Sequence, residues 1–188
     1  NTFKLQPKIM SLDVLENVAI RINEHIEKSN LNLVNITFHG GEPMLVGKAF
    51  FENAIKIINR VVHKNVIFSI QTNGTLLNKS WFDLFERLNI HIGISIDGPK
   101  EYHDLHRVYH NGEGSFNQII KNLNGGKLIS NYGILFVINP LIPVKNLYSF
   151  IKQNKISTLN LLLPDHHYND LPIYNSPDNS SIQIDIGD

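Results

Sequence analysis

The sequence predicts an α/β protein in which helices cover both faces of a sheet of parallel strands. Two observations lead to this prediction. Stretches with apolar residues at helical spacing alternate along the chain with short apolar runs typical of strands. Those runs are nearly continuous, as in strands that crossover helices bury on both faces. We therefore expect repeated strand–helix units joined by right-handed crossovers.

Five helices are expected from the spacing of apolar residues. The first occupies residues 11 to 29, with Ser11 as its N-cap and Asp13 in its first turn. Three more follow the helical stripes that begin at Phe51, Trp81 and Phe116, and a short helix covers residues 145–153. Either Asn78 or Ser80 is expected to cap the third helix, and Gly125-Gly126 to end the fourth.

Five strands lie between these helices. They are predicted at residues 34–38, 66–70, 90–96, 132–138 and 158–163. Because the order begins with a helix, we expect that a strand upstream of the chain is missing. After Pro164 the sequence becomes rich in Asn, Asp, Pro and Ser, which is typical of a loop or tail. We predict a core over residues 1–164 and a polar loop or tail over residues 165–188.

Composition excludes several classes of protein. With 42% hydrophobic and 18% charged residues, the 188-residue chain has the make-up of a globular domain. Its 17 basic and 17 acidic residues balance, which predicts neither a nucleic-acid nor a membrane partner. Apolar runs fall short of the roughly 20 residues of a membrane span. Cysteine is absent, which excludes disulfides and thiolate metal sites within these residues.

Turn-forming and polar residues follow four of the predicted strands. The segments are HGGEP (39–43), QTNG (71–74), SIDGP (95–99) and NP (139–140). Ligands of parallel α/β sheets bind outside the carboxyl ends of the strands. Each segment taken alone is also an ordinary turn, because Gly, Pro, Asn and Asp dominate turns. Their occurrence together, in order and on one face, indicates a binding site.

Longer segments around these turns resemble a known family. FHGGEPMLVG (38–47), IQTNGTLLN (70–78), IGISIDGPKEYHDLHRV (92–108) and GSF (114–116) resemble the core of radical S-adenosylmethionine (radical SAM) enzymes. The resemblance is greatest to the branch that modifies peptides and proteins, which includes the anaerobic sulfatase maturases, and it covers roughly residues 8 to 140. LNLLLPDHHYND (159–170) is similar to a segment of maturases that form cyclophane crosslinks in small peptides.

The resemblance implies a fold and a cofactor site. The fold is a partial (β/α)6 TIM-like barrel, and since the Gly-Gly-Glu-Pro strand is the second in this family, the first strand is lacking here. By the same resemblance, the turn formed by Gly40, Gly41, Glu42 and Pro43 holds the amino end of the methionine moiety of S-adenosylmethionine. A structural hydrogen bond within the turn is a second role open to Glu42.

Three further residues are implied in the site by their match to the family motifs. Asn73 lies near S-adenosylmethionine, and Ser95 and Arg107 grip its carboxylate, as an arginine fork can do with charge-assisted bonds. The alternative for Arg107 is a surface ion pair with Asp104 or Glu101, which would stabilise the fold little. Asp97 is expected to shape the turn before Gly98-Pro99.

The histidines allow a metal site as an alternative, because imidazole is a common metal ligand. His103, His106 and His110 are spaced three and four residues apart, and His166-His167 form a pair. Since His106 and its neighbours are predicted in a polar loop, solvated side chains are favoured, and no metal ligand is assigned.

The resemblance also implies a [4Fe–4S] cluster, held by a Cys-x-x-x-Cys-x-x-Cys loop after the first strand. Clusters of this kind are held by cysteine thiolates, so the cluster ligands are not in this chain and the chain alone is predicted to be inactive. Either the chain is a fragment that begins downstream of the loop, or it is a degenerate copy. A start at Asn1 rather than Met favours the fragment.

The function implied for the intact protein is that of a radical SAM oxidoreductase acting on a peptide or protein. It would cleave S-adenosylmethionine reductively and abstract hydrogen from a substrate side chain, leading to crosslinking or to oxidation. The segment around LLLPDHHYND favours crosslinking, and oxygen sensitivity implies a cytoplasmic setting. Two alternatives stay open: a cluster-less, non-catalytic binding module, and an unrelated α/β enzyme that uses the same strand ends. No catalytic acid or base is identified.

Overall fold

The structure is a computed structural model that describes residues 7–125, 132–164, 173–175 and 181–183. Its helices are α1 (Leu12–Lys28), α2 (Lys48–Val61), α3 (Lys79–Arg87), α4 (Lys100–His106), α5 (Phe116–Gly125) and α6 (Val144–Gln153). Its strands are β1 (Leu33–Phe38), β2 (Asn65–Thr72), β3 (Ile90–Ser95), β4 (Tyr132–Val137), β5 (Leu159–Leu162), β6 (Ile173–Asn175) and β7 (Ser181–Gln183). A short 3-10 helix covers Pro43–Val46.

Strands β1 to β5 form one sheet in the order of the chain. The pairings of β1 with β2, of β3 with β4 and of β4 with β5 are parallel. Helices separate successive strands, as parallel connections require. The predicted α/β class with parallel strands is therefore confirmed. By their internal contacts the residues divide into a first unit, Asn1–Gln71 with Ser80–His91, and a second unit, Thr72–Lys79 with Ile92–Asp188.

Most predicted elements are confirmed to within a few residues. Ser11 caps α1, since its Oγ accepts a hydrogen bond of 3.2 Å from the backbone N–H of Val14. Helix α3 begins at Lys79, so the residue that precedes it is Asn78 and not Ser80. Helix α5 begins just after Ser115 and is described as far as Gly125; Gly126 lies outside the described residues.

The prediction of a polar loop around His106 is wrong, because residues 100–106 form α4. The helix follows Pro99 directly and buries Tyr102 and His103. A helix of two turns contributes too few apolar positions to produce a visible period in the sequence. One of its two buried residues is a histidine, which a search for apolar periodicity counts as polar.

The prediction that every strand is buried on both faces is also wrong, because β1 and β5 are not. Along β1 exposed residues alternate with half-buried ones, and in β5 the last three residues are exposed. These strands are the first and the last in the order of the sheet, so each has a single strand neighbour among the described residues. Edge position thus explains the alternation.

An aromatic cluster fills the core of the first unit. Phe51 of α2 is fully buried, and its ring meets those of Phe38, Trp81 and Phe85 edge-on, with centroids 5.2 to 5.8 Å apart. Edge-to-face contacts of this kind add to the stabilisation gained by burial alone. The cluster fixes the end of β1 against α2 and α3.

The core of the second unit is mainly aliphatic. Ile94 of β3 and Ile119 of α5 are fully buried, and Phe136 of β4 is 2% exposed. Phe116 at the start of α5 contacts Phe150 of α6, with ring centroids 6.0 Å apart. These contacts fix α5 and α6 within the second unit.

Within residues 165–188, predicted as loop or tail, β6 and β7 pair in antiparallel fashion. The remainder of that segment lies outside the described residues, and the division at residue 164 stays a prediction. Over the described part of the chain, every helix is too short or too polar to cross a lipid bilayer.

Candidate functional site

The Gly-Gly-Glu-Pro turn follows β1 in the first unit. The backbone N–H of Gly40 donates a hydrogen bond of 2.7 Å to Nδ1 of His39. Gly40 has a φ of +148°, a conformation that residues with side chains rarely adopt. Beyond the adjacent residues, a Cβ added to Gly40 or Gly41 would meet no described heavy atom within 4 Å. The turn therefore presents backbone groups that neighbouring side chains leave uncovered.

Glu42 has a structural role in this turn. It caps the 3-10 helix Pro43–Val46, where its Oε1 accepts a hydrogen bond of 3.1 Å from the backbone N–H of Met44. Pro43 suits the first position of the helix because its ring fixes φ and its missing N–H is not needed there. The sequence analysis allowed Glu42 this role beside a ligand role. The bond shows that at least one carboxylate oxygen serves the turn.

Asn73 follows β2 and holds its own turn in the second unit. Its Oδ1 accepts hydrogen bonds from the backbone N–H of Thr75 at 2.9 Å and from the Thr75 hydroxyl at 2.7 Å. Gly74 has a φ of +76°, and a Cβ there would lie 2.9 Å from Cγ2 of Ile94 and 3.2 Å from Cγ2 of Ile119. The turn therefore lies directly on the core.

Ser95 is the last residue of β3 and is 9% exposed. It follows Ile94, against which Gly74 packs, so the second unit brings the Asn73 turn next to the end of β3. Both residues thus lie at the carboxyl ends of their strands, as predicted from the sequence.

Arg107 forms an ion pair with Asp97. Its Nε donates to Oδ2 at 2.5 Å and its Nη2 donates to Oδ1 at 3.2 Å. The Arg107 side chain is 30% exposed and that of Asp97 15%. Asp97 Oδ1 also accepts a hydrogen bond of 3.1 Å from the backbone N–H of Val137, at the end of β4. Asp97 therefore does more than shape its own turn.

The ion-pair alternative for Arg107 named the wrong acids. The partner is Asp97, which lies ten residues away in sequence, and not Asp104 or Glu101. Asp104 instead accepts hydrogen bonds from Nζ of Lys100 at 2.6 Å and from the backbone N–H of Phe116 at 3.0 Å. It therefore joins α4 to the start of α5.

The geometry of the Arg107 pair leaves one edge of the guanidinium unused by Asp97. A pair through Nε and Nη2 is side-on, while the Nη1–Nη2 edge carries further N–H donors. Two parallel donors of this kind match a carboxylate. Arg107 can therefore bind a second carboxylate without losing Asp97, and the structural and ligand roles are compatible.

His103 is fully buried, which corrects the expectation of a solvated histidine. Its Nδ1 accepts a hydrogen bond of 3.2 Å from the backbone N–H of Asp97, and its Nε2 lies 3.0 Å from Oγ of Ser115. Burial lowers the pKa of His103 to about 4, with Arg107 and Lys100 acting in the same direction against Asp97 and Asp104. The side chain is therefore neutral at pH 7.

His106 and His110 are exposed, and His166-His167 lie outside the described residues. Over the part of the chain that the structure describes, His, Cys, Asp and Glu side chains nowhere gather in a group of three or more able to hold a metal ion.

The observations so far define a class of protein: an α/β fold of parallel strands in chain order, with a glycine-rich turn at the end of β1 and an arginine beyond β3. Residues 5–144 match the model of the Radical SAM superfamily. The chain belongs to that superfamily, which removes the alternative of an unrelated α/β enzyme.

The chain is similar to two curated enzymes. It is 36% identical over 161 residues to the cysteine-type anaerobic sulfatase-maturating enzyme of Clostridium novyi, covering 82% of this chain and 41% of that enzyme. It is 35% identical over 136 residues to the serine-type anaerobic sulfatase-maturating enzyme of Bacteroides thetaiotaomicron, covering 71% of this chain and 31% of that enzyme. The chain thus spans less than half the length of either relative.

The fold matches a solved structure described as native anSMEcpe with bound AdoMet and Kp18Cys peptide. The TM-score is 0.77 at 28% identity, and the match covers 89% of this chain and 47% of the solved one. The fold class is thus a partial radical SAM TIM-like barrel, as the resemblance implied.

The superfamily uses S-adenosylmethionine and a [4Fe–4S] cluster. The chain fits these two groups differently. In the first unit, the backbone at Gly40 and Gly41 is not covered by other side chains, and such a turn suits the close approach of an amino group. In the second unit, the edge of Arg107 that Asp97 does not use has the donor geometry that suits a carboxylate. Cluster iron needs cysteine thiolates, and the sequence contains none, so these residues do not fit the cluster.

Proposed function

We propose that these residues form the S-adenosylmethionine-binding core of a radical SAM maturase that acts on a peptide or protein. The observation that carries the proposal is the turn at Gly40 and Gly41, whose backbone is uncovered, within a segment that matches the superfamily. The naming of both curated relatives as sulfatase-maturating enzymes, and the peptide bound in the solved structure, support a peptide or protein substrate.

Each proposed residue has a distinct part in holding the cofactor. Gly40, Gly41, Glu42 and Pro43 receive the amino end of its methionine moiety through backbone carbonyls and a carboxylate. Arg107 and Ser95 bind its carboxylate, with the Nη1–Nη2 edge of the guanidinium as the charged donor. Asn73 shapes the neighbouring turn, and we place it near the cofactor.

When bound together, S-adenosylmethionine and the cluster supply the 5′-deoxyadenosyl radical that abstracts hydrogen from a substrate side chain. The cluster ligands come from outside these 188 residues. The role of the chain itself is to bind and orient the cofactor, which is the protein's share in such chemistry. A reducing, cytoplasmic setting follows from the oxygen sensitivity of the cluster.

Two outcomes are proposed for the substrate: oxidation of a side chain and crosslinking. The similarity to sulfatase-maturating enzymes favours oxidation. The segment LNLLLPDHHYND favours crosslinking, although its residues 165–170 lie outside the described part of the chain. With the cluster-bearing full-length protein, an aldehyde trapped by a hydrazide would indicate oxidation, and a fragmentation gap in the product spectrum would indicate a crosslink.

A second candidate function is a binding module without a cluster, which the absence of cysteine favours. Both candidates require the cofactor site, and they differ in turnover. Formation of 5′-deoxyadenosine by the cluster-bearing full-length protein would support the maturase. A full-length protein that binds S-adenosylmethionine and forms none after iron–sulfur reconstitution would be the module.

Calorimetric titration of S-adenosylmethionine into the chain tests the site itself. We expect weak, saturable binding, which Gly41→Val reduces at least about tenfold because a branched side chain covers the turn backbone, equivalent to about 1.4 kcal/mol. Gly125→Ala, at the end of α5, is the matched control and should bind as the wild type does. Unchanged affinity in Gly41→Val, or no saturable binding to the wild type, would remove the proposal.

A further inference from the structure

We infer that His103 and Ser115 are positioning residues for Arg107, which they hold through a relay of hydrogen bonds in the second unit. The inference deepens the proposed function and rests on it, because it assigns Arg107 to the carboxylate of S-adenosylmethionine. His103 is fully buried and Ser115 is 6% exposed, so both polar groups must be satisfied within the protein.

The direction of the relay follows from the donors present. The backbone N–H of Asp97 donates to Nδ1 of His103, so that nitrogen carries no proton. A neutral imidazole then bears its proton on Nε2, which donates to Oγ of Ser115 at 3.0 Å. The Ser115 hydroxyl in turn donates to the backbone carbonyl of Arg107 at 2.8 Å. The relay thus has one consistent set of proton positions.

The relay grips both members of the ion pair at their backbones. At one end it meets the N–H of Asp97, and at the other the carbonyl of Arg107. A further hydrogen bond of 3.1 Å, from the N–H of Ser115 to the Arg107 carbonyl, strengthens the second end. Since Arg107 and Asp97 pair through their side chains as well, His103 and Ser115 close a ring that fixes where the guanidinium lies.

The relay requires His103 to stay neutral. A second proton on Nδ1 would oppose the donor N–H of Asp97. The charged groups that act on the ring are Asp97 and Asp104, which favour the protonated form, and Arg107 and Lys100, which oppose it. Burial lowers the pKa of His103 in the same direction as the two basic residues, so the neutral form is the one present at pH 7.

Heteronuclear NMR of the 188-residue chain and cofactor titration test the inference together. We expect the Nε2–H tautomer of His103 and a slowly exchanging Arg107 Nε–H in the wild type. Ser115→Ala should speed that exchange and weaken S-adenosylmethionine binding about tenfold, as the loss of a well-placed charged contact would do. Ser115→Thr keeps the hydroxyl and should restore both.

Ile134→Val is the control for a general loss of stability, because it truncates a buried residue of β4 and leaves the relay intact. It should leave the Arg107 signal and the affinity unchanged. A proton on Nδ1 of His103, or Arg107 exchange that is the same in Ser115→Ala as in the wild type, would overturn the inference.

A failure of the proposed function gives a different result. If Arg107→Ala binds S-adenosylmethionine as well as the wild type, Arg107 has no cofactor role. The NMR readout still decides whether His103 and Ser115 position the guanidinium, because it needs no ligand.

Discussion

The ion pair between Arg107 and Asp97 gives the arginine a structural partner that uses only the Nε–Nη2 side of its guanidinium, and this geometry is what makes the proposed ligand role compatible with the pair. Asp97 neutralises the charge of Arg107 in a partly buried setting, where an unpaired guanidinium would be costly. Asp97 accepts hydrogen bonds from the Nε–Nη2 edge of the guanidinium and does not use the Nη1–Nη2 edge. Lysine at this position could not do both, because its ammonium lacks a planar fork.

His103 makes the stability of the protein depend on pH. The pKa of His103 is lowered from 6.5 to about 4 in the folded protein. Between these two pH values the unfolded chain binds a proton at His103 and the folded chain does not, which favours unfolding. The contribution is fully present above pH 6.5 and is lost as the pH falls toward 4. At about 1.4 kcal/mol per pKa unit, the contribution amounts to at most about 3–4 kcal/mol. Urea unfolding at several pH values measures it.

The matched variants for this prediction are His103→Leu and His106→Gln. Leucine removes the titrating group, so the slope of unfolding free energy between pH 4 and 6.5 should become shallower than in the wild type. His106 lies in the same helix and is exposed, so its variant should keep the wild-type slope. Equal slopes in all three proteins would show that His103 titrates normally.

At the scale of secondary structure, Asp104 joins α4 to α5. Its carboxylate accepts a hydrogen bond from the backbone N–H of Phe116, the first residue of α5, and so acts as a cap for that helix. The same carboxylate forms an ion pair with Lys100. Burial acts to raise the pKa of Asp104, but these two hydrogen bonds together with nearby positive charge, chiefly that of Lys100, outweigh burial and lower the pKa. One side chain of α4 thus fixes the start of the next helix.

Gly114 leaves the space that this carboxylate needs. A Cβ at Gly114 would overlap the carboxyl group of Asp104, so Gly114→Ala requires that group to move, and we expect its two hydrogen bonds to weaken or break. We expect a loss of about 1–3 kcal/mol in the free energy of unfolding. Gly125→Ala, where a Cβ meets no described atom within 4 Å, should be neutral or stabilising. Similar urea midpoints for the two variants would contradict this account.

The elements with a strong period could be predicted from the sequence, and those defined by tertiary contacts could not. Ser11 and the apolar stripe of α1 carry their own signal. By contrast, α4 is short and its buried face includes a histidine, so only packing reveals it. The exposure of β1 and β5 follows from strand order, which local composition does not encode.

The candidate site divides in the same way. The turns at Gly40 and Asn73 could be found because Gly and Asn have conformational roles that the sequence shows directly. The partner of Arg107 could not be predicted, because Asp97 was one of several nearby acids and the choice depends on how α4 begins. The relay through His103 and Ser115 was missed because the histidine was taken to be in a loop.

At the scale of the whole chain, the absence of cysteine leads to a direct prediction. Anaerobic reconstitution of these 188 residues with iron and sulfide should give no [4Fe–4S] cluster, because thiolate ligands are lacking. Visible absorbance and iron content measure the outcome. A longer product that carries a Cys-x-x-x-Cys-x-x-Cys loop is the control and should bind a cluster. Stoichiometric iron in the 188-residue chain would refute the assignment of the ligands to another segment.

Gly74 packs against the methyl groups of Ile94 and Ile119 so closely that its α-carbon has room for a hydrogen atom but not for a Cβ. The position of the Asn73 turn is therefore determined by the hydrophobic core on which it packs. Replacing either isoleucine with a larger or smaller residue would therefore shift the turn, although no polar side chain of the turn would be changed. Under the proposed function, selection for packing and selection for cofactor affinity would act on the same few atoms, so a change in one property would also change the other.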